Sequence, residues 1–187
     1  MHRVILRRLR LLLVVSSGAL VVIPAAPVVH CNDPLQPAAG PQIAHPVFSA
    51  SAGLHPGWLD YGWAPRRIVA GSPVSLQFNE TGAGWIVARP GLVGRFGAVS
   101  FLVKAPAPPE DFLDVFVDGP SPRSFPRVRV ASRHRLRGTG EWIGLLIPIR
   151  ELNPDGVDFD RIVFRAARAV GTIELDAIGL TGLPGPG

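Results

Sequence analysis

From about residue 70 onward, apolar positions fall in short runs separated by glycine, proline or paired polar residues. Val74 to Phe78 alternates as V-S-L-Q-F and Leu113 to Val117 as L-D-V-F-V, the period of a half-buried strand. Trp85 to Ala88 follows the turn Thr81-Gly82-Ala83-Gly84. Ala98 to Val103 reads as a central strand, which Pro106 to Pro109 interrupts. Asp118-Gly119 closes the run that ends at Val117 and is a strong turn pair. Val128 to Ala131, Glu141 to Pro148, Arg161 to Phe164 and Thr172 to Leu180 give further strands, with one short helical turn over Ile149 to Leu152. Eight or nine short strands with almost no helix predict an all-β fold, an antiparallel β-sandwich or barrel.

Composition agrees with this pattern. The 187 residues give room for one domain, and 47% hydrophobic against 18% charged residues supply a real core. The 21 Gly and 20 Pro argue against a helical bundle and for strands joined by turns.

The first thirty residues break the pattern. A basic stretch (His2 to Arg10) precedes an apolar run from Leu11 to Ile23 and the small residues Ala25 and Ala26. This run of thirteen residues, two of them serines, is too short for a hydrocarbon core that needs about 20 apolar ones. Residues 1–30 therefore read as a signal peptide, with an uncleaved anchor as the alternative. Four of the 19 Lys and Arg residues lie in that segment, leaving 15 against 14 acidic residues. The net charge of +5 is thus poor grounds for a nucleic-acid partner.

Cys31 is the only cysteine, so no internal disulfide forms. It stands where a bacterial lipoprotein carries its acylated cysteine, although His30 replaces the small residue normally found before it. The alternatives are a lipidated cysteine and a lone thiol. Residues 31–46 are rich in Pro and Ala and read as a linker, residues 47–182 as the folded domain, and residues 183–187 as a structureless tail.

Four stretches in order carry a family resemblance. They are Gly57-Trp58-Leu59-Asp60-Tyr61-Gly62-Trp63, Gly71-Ser72-Pro73-Val74-Ser75-Leu76, Glu141-Trp142 leading to Ile147-Pro148-Ile149-Arg150-Glu151-Leu152, and Gly171-Thr172-Ile173-Glu174-Leu175-Asp176-Ala177-Ile178-Gly179-Leu180. Together they resemble the galactose-binding-like jelly-roll modules of extracellular carbohydrate-binding proteins. The resemblance implies a jelly-roll sandwich and a polysaccharide or glycan partner. It also implies a structural calcium, held by an acidic residue of the first strand and by the acidic position of the last. Asp176 fills the second position, but Val47 to Gly53 offers no carboxylate, and calcium favours several. A carboxylate bonded to nearby backbone N–H groups is the alternative for Asp176, and no cofactor is expected.

Sugar recognition uses flat aromatic faces, on which the C–H face of a pyranose packs while its hydroxyls seek polar partners. Trp58, Tyr61 and Trp63 supply rings, Asp60 an acceptor and Arg66 a donor to hydroxyls or to a uronic-acid carboxylate. Trp85, after a Gly-rich turn, is a further candidate. The opposing reading closes the end of the sandwich with these rings, and for Trp142 packing is the reading preferred. The basic run Arg123 to Arg137 places Arg127 and Arg129 on one strand face, as a site for acidic polysaccharide or anionic headgroups or as a plain solvated surface.

Signatures of hydrolases, metalloproteases and P-loop enzymes are missing from the sequence. Asp60, Glu80, Asp114, Glu141 and Asp176 are conceivable members of a carboxylate pair, but none has a local context that favours it. The expectation is an exported, non-catalytic carbohydrate-binding module, secreted or in the cell envelope, touching membrane only through its N-terminal segment. A cell-envelope adaptor that contacts protein is the first alternative, and a glycan-processing hydrolase the second.

Overall fold

The computed structural model describes residues 42–120, 122, 124–136 and 140–183. The expected signal peptide, Cys31, the linker up to residue 41 and residues 184–187 of the tail lie outside the described residues, as do Arg123 and Arg137.

Twelve strands and little else form the described chain: β1 (Ile43–Ser49), β2 (Gly53–Leu54), β3 (Leu59–Asp60), β4 (Arg66–Arg67), β5 (Val74–Phe78), β6 (Gly84–Ala88), β7 (Ala98–Lys104), β8 (Leu113–Asp118), β9 (Val128–Arg129), β10 (Ile143–Pro148), β11 (Arg161–Ala166) and β12 (Gly171–Thr181). One α-helical turn, α1 (Ile149–Leu152), follows Pro148, and two 3-10 turns lie at Pro109–Asp111 and Ser132–His134. All strand pairs are antiparallel.

The strands make two sheets. The smaller runs β3-β6-β11-β8-β9. The larger places β7 between β10 and β12, and β12 then meets two neighbours in succession. Gly171 to Leu175 pairs with β5, which carries β4 on its far side, and Ile178 to Thr181 pairs with β1, which carries β2. The change of neighbour falls at a bulge, where Asp176 opposes Leu102 but Gly179 opposes Ser100, so one extra residue sits on β12. Ala177 there takes a left-handed φ of 47°.

β1 begins inside the stretch read as linker. Its first residues pair with the end of β12, Ile43 opposite Thr181 and Pro46 opposite Gly179. Gly179 has no side chain where Ile43 packs; a Cβ there would lie 2.6 Å from Ile43 Cγ2. The Pro/Ala-rich composition hid this strand, because its pairing depends on a glycine 136 positions away.

The core lies between the sheets, fed by alternate residues of each strand. Val74, Leu76 and Phe78 face inward from β5, Val99, Phe101 and Val103 from β7, and Leu113, Val115 and Val117 from β8. Four rings join the layers at the centre. Trp85 stacks on Phe164 in the smaller sheet (centroids 5.9 Å, 25°), and Phe101 and Phe48 of the larger sheet meet them edge-on at 5.1 and 6.2 Å. Such edge-to-face contacts add to the area the rings bury.

Candidate functional site

The aromatic segment forms the free edge of the smaller sheet. Leu59 and Asp60 pair with Ala88 and Val87, and the pairing continues as Tyr61 N–H donates to the Ile86 carbonyl and Trp63 N–H to that of Gly84, each at 3.0 Å. Side chains alternate along this edge. Leu59, Tyr61 and Trp63 point away from the core and are 43%, 58% and 51% exposed, whereas Gly62 points inward. A Cβ on Gly62 would lie 2.6 Å from Trp85 Cδ1. The Trp63 ring lies over Gly84, where any Cβ would collide with it, and its Nε1 donates to the Gly82 carbonyl at 2.8 Å. Tyr61 and Trp63 thus stand two residues apart on the same outer face, with the Trp63 ring held by its hydrogen bond.

Strand register extends that face across the sheet. Beyond Tyr61 the row continues through Ile86, Val163 and Phe116, about 14 Å over three strand spacings. Arg127 stacks on the Phe116 ring at 5.4 Å from its centroid. Val163 is only 1% exposed yet outside the core cluster, so its neighbours on the outer face cover it. On one side lies the row Leu59, Ala88, Arg161 and Asp118; on the other lies Trp63, Gly84, Arg165, Asp114 and Arg129. Arg161 pairs with Asp118 at 3.1 Å and Arg129 with Asp114 at 2.5 Å. A hollow of about 390 Å³ opens at the far end, lined by Phe116, Asp118, Ser124, Phe125 and Arg127.

The six residues expected in the site divide sharply. Tyr61 and Trp63 occupy the outer face. Trp58 is 4% exposed and Trp85 fully buried, so neither offers a ring to a ligand. Parity explains it: Trp58 precedes the outward Leu59, and Trp85 shares the inward phase of Val87. Asp60 also turns inward, where its Oδ1 accepts from Trp85 Nε1 at 2.9 Å and from Gly62 N–H at 3.3 Å. Its Oδ2 accepts from Arg66 Nε at 2.8 Å, and Arg66 Nη1 donates to the carbonyls of Gly62 and Ala64. Asp60 and Arg66 therefore brace the aromatic edge from its inner side, each side chain about a quarter exposed. Trp142 is half-buried beside β10.

Phe116, Arg161 and Arg165 were missed in the sequence. The signal was present: Phe116 stands in the polar phase of L-D-V-F-V-D, between Asp114 and Asp118.

The other candidate groups lie elsewhere. Asp176 Oδ1 accepts from Ala50 N–H and Ala177 N–H, both at 2.7 Å, pinning β1 to the bulge. No cluster of three or more His, Cys, Asp or Glu suited to a metal forms among the described residues. Glu141 holds Lys104 at 2.6 Å on the larger sheet, which raises the lysine's pKa and lowers the glutamate's through their hydrogen bond. Glu80 is exposed at a turn. Asp60, Asp114, Glu141 and Asp176 thus serve four separate arrangements. A hollow of about 820 Å³ sits on the outer face of the larger sheet against Ala98, Leu146, Pro148 and Thr181. It presents Phe96 as its one aromatic ring and Arg150 as its one charged group.

No family model and no curated protein sequence matches the chain. Solved structures do match in fold. A variant of a family 29 carbohydrate-binding module in complex with mannohexaose is 17% identical, with a TM-score of 0.50 over 74% of this chain and 92% of that one. Two further variants of the module give TM-scores of 0.53 and 0.52 at 16% identity, each over 74% of this chain and 91% of theirs. The antiparallel sandwich expected from the motifs is therefore the fold of this chain, and it is a carbohydrate-binding-module fold.

Proposed function

We propose that the chain is an exported, non-catalytic carbohydrate-binding protein that stacks sugar rings on Tyr61 and Trp63. The observation that carries this reading is the placement of those two rings, half-exposed and two residues apart, on an outer sheet face edged by arginine and aspartate. A pyranose has an apolar C–H face and a rim of hydroxyls, and the face offers both kinds of partner in adjoining rows. Fold neighbours include modules bound to mannohexaose and cellulohexaose, which adds support for an extended oligosaccharide. The row from Tyr61 to Phe116 gives such a chain a path across four strands. Binding is modest in strength, because a shallow platform must offset the ordering of a flexible ligand. Residues 1–30 supply the export signal, with the secreted space or the cell envelope as destination.

The test is affinity electrophoresis of the full-length chain in gels containing soluble polysaccharides. Trp63→Ala and Tyr61→Ala should each weaken retardation about tenfold, the loss of roughly 1.4 kcal/mol of stacking. Both variants should keep a cooperative unfolding transition, since the two rings are surface groups. Undiminished retardation in both folded variants rejects the reading.

A further inference from the structure

Resting on the carbohydrate reading, we infer that the glycan received on this face is acidic, a uronic-acid polysaccharide whose carboxylate is taken by Arg165. The outer face of the smaller sheet carries Arg127, Arg129, Arg161 and Arg165 against Asp114 and Asp118. Both aspartates already have a guanidinium, Asp114 that of Arg129 and Asp118 that of Arg161. Asp160 also lies 3.4 Å from Arg161 Nε, so four arginines meet three aspartates and the face is positive by one charge, with every one of those carboxylates already beside a guanidinium other than that of Arg165.

Arg165 is the group this imbalance isolates. It stands in the row between Gly84 and Asp114, yet its guanidinium makes no hydrogen bond or ion pair among the described residues. Its head lies beside Gly82, since a Cβ built there would sit 3.4 Å from Nη2 and 3.8 Å from Nε. The Gly82 carbonyl is the acceptor of the Trp63 indole N–H. An unpaired guanidinium thus lies beside the exposed indole that stacks the sugar. A carboxylate on a ring seated over Trp63 would be within reach of this fork.

A neutral hydroxyl could accept one hydrogen bond there, but a carboxylate accepts two in parallel and carries the compensating charge. Charge-assisted bonds of this kind are about twice as strong as neutral ones. Arg127, stacked over Phe116 at the other end of the row, extends the positive field along the path of the chain.

The full-length chain and its Arg165→Gln and Arg165→Lys variants would be run in gels containing polygalacturonate, neutral glucomannan or dextran sulfate. The expected result is stronger retardation of the unaltered chain by polygalacturonate than by glucomannan. Arg165→Gln should then lose about tenfold or more on polygalacturonate and stay within about twofold on glucomannan. Arg165→Lys should recover only part of that loss, because a point charge cannot form the fork. Retardation by glucomannan equal to or above that by polygalacturonate overturns the acidic ligand and leaves the carbohydrate reading standing. So does retardation by dextran sulfate that matches polygalacturonate and ignores Arg165→Gln, which is plain attraction of a polyanion. Failure of all three polysaccharides to retard the unaltered chain overturns both readings together. The fold is not at stake in these variants, since the Arg165 side chain holds no partner.

Discussion

Trp85 Nε1 donates to Asp60 Oδ1 at 2.9 Å, tying the innermost ring of the sandwich to the edge that presents Tyr61 and Trp63. The same carboxylate receives Arg66 and the backbone of Gly62. Core and platform are joined through one side chain, and its loss should be felt in both.

Asp60→Ala should leave the buried Trp85 N–H without an acceptor and release Arg66, at a cost of about 1–3 kcal/mol in unfolding free energy. Asp60→Asn keeps an oxygen for the indole but turns its NH2 toward the Arg66 Nε–H, losing that hydrogen bond with the charge, so it should cost less than Asp60→Ala only by what the Trp85 bond contributes. Trp85→Phe removes the donor together with its share of packing. Trp58, by contrast, is buried with no hydrogen-bond partner for Nε1 among the described residues. Trp58→Phe deletes an unsatisfied donor, so it should be the milder of the two Trp→Phe changes by about 1 kcal/mol. Urea unfolding of the four variants measures these differences. A Trp58→Phe loss equal to or larger than the Trp85→Phe loss contradicts the assignment.

Two glycines test which ring matters for what. Gly84→Ala places a methyl under the Trp63 ring and must push that ring off the face. Gly62→Ala drives a methyl toward Trp85 Cδ1, 2.6 Å away, and overpacks the core instead. Gly84→Ala should therefore weaken glycan retardation, with some loss of stability as well, because its Cβ would also lie 3.0 Å from the Phe164 carbonyl oxygen. Gly62→Ala should lower stability by about 1–3 kcal/mol, the usual range for a core methylene with nowhere to go. The pair is read by gel retardation and denaturant midpoint on the same samples. Equal effects on both readouts would mean that Trp63 and Trp85 are not on opposite sides of this strand.

Much of the fold was legible where a strand alternates from end to end, as β5 and β8 do. The run Val74 to Phe78 coincides with β5, and Ile149 to Leu152 is the one α-helical turn among the described residues. The strands β2, β3 and β4 escaped because two residues carry no period. That gap is also why the site was only half readable. Trp58 and Trp63 are five positions apart, an odd number, so a continuous strand must send them to opposite faces. Tyr61 and Trp63 are two apart and must share one. Without knowing that Leu59 to Trp63 runs on along β6, the three rings look equivalent. Arg165 was invisible for a different reason: its importance comes from lacking a partner, and its neighbours Gly82 and Asp114 are brought to it only by strand pairing.

The acid limb of stability should reveal the ion pairs that fasten the loops around β8 and β9. Arg135 grips Glu110 through both carboxylate oxygens, and this hydrogen bonding holds the Glu110 carboxyl below its ordinary range, with burial opposing. Arg133 lowers the Glu151 carboxyl in the same way, aided by the buried His134, whose Nε2 lies 3.0 Å from Glu151 Oε2. For a carboxyl depressed in the folded state, the unfolded chain takes up its proton first as pH falls. The stabilisation is therefore complete above the ordinary carboxylate pKa and disappears as pH drops through the lower, folded value. Unfolding midpoints in urea should hold steady from about pH 7 to 5 and fall between about pH 5 and 3. Glu110→Gln should be less stable than the unaltered chain at pH 7, by no more than about 1 kcal/mol for so exposed a pair. The gap between the two midpoints should narrow as pH falls toward about 3, as the unaltered glutamate begins to be protonated. A Glu110→Gln deficit that persists undiminished at that pH would show that the residue stabilises through packing and not through its charge.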